Sequence, residues 1–204
     1  MVKLDKYGNK MDYIIREIKE AEYPKLEDFI FEAIFIPEGV EVPPKSIISV
    51  PEIQVYIEDF GNRIDDICVV AEAKTAEATE KQAITSEKST NHDAESAMGE
   101  GNERKNDKGE NIKLVGAAWV RIMNDFGHVD DETPSLAVSL YKEHRGMGVG
   151  TSMMNELLSI LKAKGYKKTS LAVQKANYAL KMYKKLGYEI IDENEEEFIM
   201  LKYL

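Results

Sequence analysis

Cysteine occurs once in the 204 residues, at Cys68, so the chain closes no internal disulfide and builds no cysteine-rich zinc site. No apolar run approaches the roughly 20 residues that cross a bilayer. The opening stretch, Met1-Val-Lys-Leu-Asp-Lys-Tyr-Gly8, lacks the apolar region of a signal peptide. Positive charge is in deficit: 27 Lys and Arg against 37 Asp and Glu give a net charge of −10. That disfavours a nucleic-acid partner, which needs a basic face. These shortages point to a reducing cytoplasm, with no membrane and no metal centre. The acidic balance mainly serves solubility, and it suits a cationic substrate such as an amine.

Aromatics are also missing, and aliphatics are sparse, from Glu72 to about Asn111. Ala, Glu, Lys, Thr, Ser, Asn and Gly cannot bury enough apolar surface to offset the cost of ordering them. The expectation is one domain over 1–204, interrupted by a disordered insertion at 72–111. An exposed helix over Glu72 to Ile84 is the competing reading.

What is present alternates between two periods. Strands are expected at Tyr13–Ile18, Asp66–Ala71, Ile112–Met123, Leu136–Leu140, Lys168–Val173, Tyr188–Asp192 and Glu197–Tyr203. Helices are expected at Pro24–Phe35, Glu52–Phe60, Thr151–Lys164 and Asn177–Leu186. Helices separated by runs of strands imply an α/β (α+β) protein with a mixed sheet. Cys68 falls in a strand and reads as a small core residue.

The densest signal is Arg145-Gly-Met-Gly-Val-Gly150, between a strand and a helix. Glycines there allow a tight turn, and the first helical N–H groups have no internal acceptor, so an anion such as phosphate fits. A nucleotide P-loop needs a lysine before Ser or Thr, and Gly150 runs straight into Thr151-Ser152. A dinucleotide fingerprint spaces its glycines differently and follows the first strand.

The spacing Arg145-x-x-Gly148-x-Gly150 resembles the cofactor signature of the GCN5-related N-acetyltransferases. So does the later stretch from Leu171-Ala-Val173 through Asn177-Tyr-Ala-Leu-Lys-Met-Tyr183 to Gly187-Tyr188. The resemblance covers the chain outside the insertion. It implies a mostly antiparallel seven-stranded sheet with helices on both faces and a splayed central strand pair. It implies acetyl-CoA as cosubstrate, held by Val138, Leu140, Arg145, Gly146, Met147, Gly148, Val149, Gly150, Thr151 and Asn177. The Leu140 backbone N–H would stabilise the oxyanion, and Tyr183 would be the general acid. Asn177 also reads as a helix N-cap, and Tyr183 as a core aromatic.

The expected activity is direct acetyl transfer to a primary amine, on a small molecule or a peptide. A non-catalytic acetyl-CoA sensor on the same fold is the alternative. A homodimer through an exposed sheet edge is a partner such a fold allows. No general base stands out: the family position carries Ala172, leaving Glu32, His128, Asp130, Asp131 and Glu132 as candidates. Phe29, Phe35 and Tyr56 are candidates for the acceptor pocket or the core.

Overall fold

The computed structural model describes residues 2–4, 10–37, 39–75, 103–105 and 111–204. In chain order the elements are β1 (Val2–Leu4), β2 (Lys10–Glu17), α1 (Leu26–Ala33), α2 (Pro51–Gln54), β3 (Ile67–Thr75), β4 (Glu103–Lys105) and β5 (Asn111–Arg121). Then follow β6 (Ser135–Leu140), α3 (Val149–Ala163), β7 (Lys168–Gln174), α4 (Leu180–Lys185), β8 (Glu189–Glu193) and β9 (Glu197–Tyr203). Short 3-10 turns at Glu20–Lys25, Lys45–Ser49 and Lys142–His144 fill three of the joints.

The described strands form one sheet, in the order β1-β2-β3-β5-β6-β7-β9-β8, with β4 on β5. Seven of them have five residues or more; β1 and β4 add three-residue pieces. Every pairing is antiparallel except β6 with β7. That parallel pair shares a single register point, Ser135 with Ser170. Beyond it the two strands part, which is the splayed pair the resemblance implies.

The sheet is covered on both faces. On one face α3 lays down Val149, Met153, Met154, Leu157, Leu158 and Leu161, all buried against Leu136, Leu140, Leu171 and Val173. Those positions recur at three and four residues, the stripe an amphipathic helix needs. On the other face α1 buries Leu26, Phe29 and Ile30 against Cys68, Val70, Ala117, Trp119 and Ala137. Each such large side chain contributes roughly 1.5–3 kcal/mol of burial.

The turn after α2 is clamped to the sheet by a fully enclosed ion pair. Arg121 on β5 donates to Asp66 from Nε (2.7 Å) and Nη2 (2.9 Å), and from Nη1 to the carbonyls of Val55 and Glu58. Neither side chain of the pair is exposed.

Several expected boundaries move. The insertion set at 72–111 begins too early, because β3 runs on to Thr75 and pairs with β5 from Asn111. Glu72 looked solvent-seeking, yet it is 4% exposed and takes the Arg16 guanidinium from β2. Glu103–Lys105 also lies in the ladder. Residues 76–102 and 106–110 of that segment lie outside the described residues. The second helix shortens to Pro51–Gln54, with turns continuing to Gly61. The fourth begins at Leu180 rather than Asn177, because Asn177–Ala179 form the turn that leads into it.

Candidate active site

Beyond Ser135 and Ser170 the parted strands turn peptide groups toward one another. The Tyr141 N–H donates to the Val115 carbonyl at 3.0 Å. Main-chain groups alternate sides along an antiparallel strand. Leu140 and Val138 therefore turn their N–H and C=O away from β5, into the gap. On the far side, the Ser170 N–H donates to Pro134 O at 3.1 Å, so Ala172 and Gln174 face the gap as well.

At the mouth of the gap the chain makes its glycine turn. Gly146 and Gly148 have φ of +79° and +77°, values that strain any residue with a Cβ. Gly148 is the N-cap of α3 and supplies no side chain to it, so the first-turn N–H groups point outward uncapped. Gly150 has an ordinary helical backbone. A Cβ there would meet only Met182 Sδ, at 3.7 Å, so nothing in the protein demands glycine. The room it leaves belongs to whatever approaches the helix start. Val149 is buried, Met147 and Gly150 are half-buried, and Gly146, Gly148 and Thr151 are exposed.

Arg145 turns inward instead of toward the helix start. Its Nε donates to the Leu140 carbonyl at 2.6 Å, and Nη2 pairs with Glu32 of α1 at 3.2 Å. The guanidinium therefore ties the loop, the end of β6 and α1 together. Beneath the loop, the Tyr13 hydroxyl and His144 Nδ1 share a hydrogen bond of 2.9 Å, with the rings edge to face. No sequence signal marked Tyr13 or His144, because 131 residues separate them.

Asn177 caps its turn: Oδ1 accepts from the Ala179 N–H at 2.9 Å. Tyr183 is 7% exposed and meets Tyr188 edge to face at 6.0 Å. Burial pushes its phenol well above the usual range, so it is protonated at neutral pH. Cys68 is 3% exposed, and burial raises its thiol too, which suits a core residue.

The candidate bases scatter. Glu32 is held by Arg145. His128 uses Nδ1 on the Met123 carbonyl, 2.9 Å away. Asp130 pairs with Lys168 and accepts from Thr133 Oγ1, and these bonds hold its carboxyl down at about 2. Asp131 and Glu132 are exposed. Phe29 is a core residue, 0% exposed and tilted against Tyr141. Phe35 is half-buried. Tyr56 donates its hydroxyl to Asp125 at 2.6 Å; burial first, then the Asp125 charge, raises its phenol. Asp125 carried no sequence signal and read as one polar residue in a loop.

Within the described residues, no helix is long and apolar enough to cross a membrane. The sequence profile of the acetyltransferase (GNAT) family matches residues 71–188. No curated protein sequence matches the chain significantly. Among solved structures, PaiA N-acetyltransferase from Thermoplasma acidophilum, determined in complex with coenzyme A, is 17% identical. The match covers 95% of this chain and 99% of that one, with a TM-score of 0.57. The acetyltransferase of the GNAT family from Streptococcus pneumoniae matches with a TM-score of 0.54 at 15% identity, over 95% of this chain and 100% of its own. The ribosomal-protein-S18-alanine N-acetyltransferase of Escherichia coli matches at 0.51 and 11%, over 94% of each. Profile, fold and parted strands agree: the chain belongs to the GNAT family of acetyltransferases.

Proposed function

We propose that the chain moves an acetyl group from acetyl-CoA directly to a primary amine. One observation carries the reading. An uncapped helix start behind a glycine turn opens onto two parted strands that turn the Leu140 and Val138 N–H groups into the gap, toward an extended ligand.

The residues fit acetyl-CoA. N–H groups of the 146–151 turn would meet the diphosphate, with the space at Gly150 admitting it. Val138 and Leu140 would pair with the pantetheine arm as an added strand supplies its bonds. The Leu140 N–H would stabilise the oxyanion that forms on the thioester. Arg145 serves by ordering the loop. Asn177 keeps its amide nitrogen for the arm, since Oδ1 is engaged in the turn. Tyr183, held as a phenol, would donate to the departing thiolate. Cys68 is enclosed, which favours direct transfer over an acyl-enzyme. The acceptor is a small-molecule or peptide amine in the cytoplasm, and a homodimer would use the exposed edge strand β8.

Calorimetry with acetyl-CoA, ATP and NAD tests the cofactor. Acetyl-CoA is expected to bind below millimolar concentration and the other two are not. Thiol release across an amine panel tests the reaction. Failure to bind acetyl-CoA ends the proposal; binding without release from any amine leaves a sensor in place of an enzyme.

A further inference from the structure

The face of the sheet that carries α1 holds a half-buried carboxylate whose side-chain donors, among the described residues, are all neutral. Asp125 sits in the loop between β5 and β6. Both of its side-chain donors are neutral hydroxyls, Tyr56 Oη at 2.6 Å and Ser135 Oγ at 2.7 Å, and both bond Oδ2. Oδ1 is enclosed and has no partner.

A second orphan stands beside it. Ser135 is the register partner of Ser170, at the one point where β6 and β7 still pair. Partners in a ladder point to the same face. Ser170 is 0% exposed, and its hydroxyl also lacks a partner. Carboxylate and hydroxyls therefore meet at the closed end of the gap. Gly127 shuts this corner from above: a Cβ there would lie 2.6 Å from Ser135 Oγ and 2.8 Å from the Ala172 nitrogen.

Two enclosed polar atoms without partners, both linked to Ser135, one by its hydrogen bond and one by its strand register, are unusual in a folded core. A carboxylate oxygen enclosed without a donor is costly as well. One water spanning Oδ1 and Ser170 Oγ, and a proton arriving through it, would relieve both. The site is also within reach of the chemistry. Ser135 lies three residues from Val138, about 10 Å along the strand. Ser139, on the same face beside Leu140, has a third enclosed hydroxyl without a partner.

Tyr56 faces Asp125 from the turn after α2, and Glu197 reaches the same region from β9. In its own loop His128 is engaged with Met123 O. The nearby cations are taken: Lys168 by Asp130, and Arg63 by the Ile122 carbonyl.

We infer that Asp125 is the proton acceptor for the incoming amine, reached through water in the gap between β6 and β7. The inference rests on the acetyl transfer proposed above. The acceptor ammonium gives one proton, through water, to Asp125 Oδ1. The neutral amine then forms the C–N bond as the C–S bond breaks. The sulfur leaves with the electron pair and takes a proton from Tyr183. The second N–H proton, lost as the amide forms, restores Tyr183. The proton on Asp125 returns to solvent, so each turnover releases one.

The test is Asp125→Asn in the full chain. An asparagine oxygen still accepts from Tyr56 and Ser135, so the fold and acetyl-CoA affinity should persist. Turnover at neutral pH should fall at least ~100-fold, within the usual span of general-base catalysis. It should recover as the pH approaches the pKa of the amine itself. Ser170→Ala should lower turnover about fivefold by loosening the water. A crystal structure should show that water between Oδ1 and Ser170 Oγ, a readout independent of activity. If the unsubstituted chain releases thiol and Asp125→Asn follows it within twofold at every pH, the inference fails and the proposed function stands. A corner without water overturns it too. A chain that releases no thiol with any amine ends both.

Discussion

The two faces of the sheet are built from different materials. On the α3 face the site is main chain: glycine φ angles, uncapped helical N–H groups, and strand edges that part. On the α1 face it is side chains drawn from distant places. Tyr56 reaches Asp125 across 69 residues, and Arg121 reaches Asp66 across 55. A backbone site depends on local conformation and tolerates change in the side chains around it. A side-chain site depends on each partner and fails one contact at a time.

Substitutions can break that contrast, and the largest effect should come from the clamp. Asp66→Ala strands the Arg121 guanidinium in a dry interior, and loss of one partner in such a pair costs about 3–5 kcal/mol. Against a typical total of 5–15 kcal/mol this is severe. Denaturant titration should show it, while the protein that remains folded at low temperature should bind acetyl-CoA with little change. Equal loss on both faces would show that they are not independent.

Gly150→Glu attacks the other face without harming the fold. Its Cβ fits, and glycine is a poor helix former, so the melting temperature should hold or rise. Acetyl-CoA affinity measured by calorimetry should fall about 100-fold, near 2.7 kcal/mol. Unchanged affinity would show that nothing occupies the room beside Gly150.

Tyr183→Phe should lower kcat at least ~10-fold with acetyl-CoA affinity within twofold, read by steady-state thiol release. An unchanged kcat would give the proton delivery to water.

The smallest effect sharpens the contrast at the surface. The bonds from Lys168 and Thr133 depress Asp130 to about 2, below an ordinary aspartate near ~3.9. A carboxylate lowered on folding stabilises the protein above its unfolded pKa, and that stability is lost as pH falls through the folded value. Asp130→Asn should therefore flatten the melting-temperature profile between about pH 4 and pH 2 and leave kcat unchanged.

These contrasts also explain what the sequence discloses. The glycine turn and the Met153–Leu161 stripe are local patterns, so period and spacing reveal them. The end of β3 was hidden because Glu72 and Lys74 look like solvent residues, and the partner that buries Glu72, Arg16, is 56 positions away. Asp125 was hidden for the same reason: alone in a polar loop it resembles any turn residue. Arg145 is visible as a cation, but its partners in α1 and β6 are visible only once the chain is folded.

Strand β4 occupies the rim of β5 just past the place where β6 leaves it. Glu103 aligns with Lys113, and Leu140 aligns with Gly116, so about 10 Å of strand separates the two alignments. A spectroscopic label on that short strand would sit close enough to the transfer site to signal the arrival of an acceptor, which makes Glu103–Lys105 the natural anchor for an optical or paramagnetic sensor of turnover.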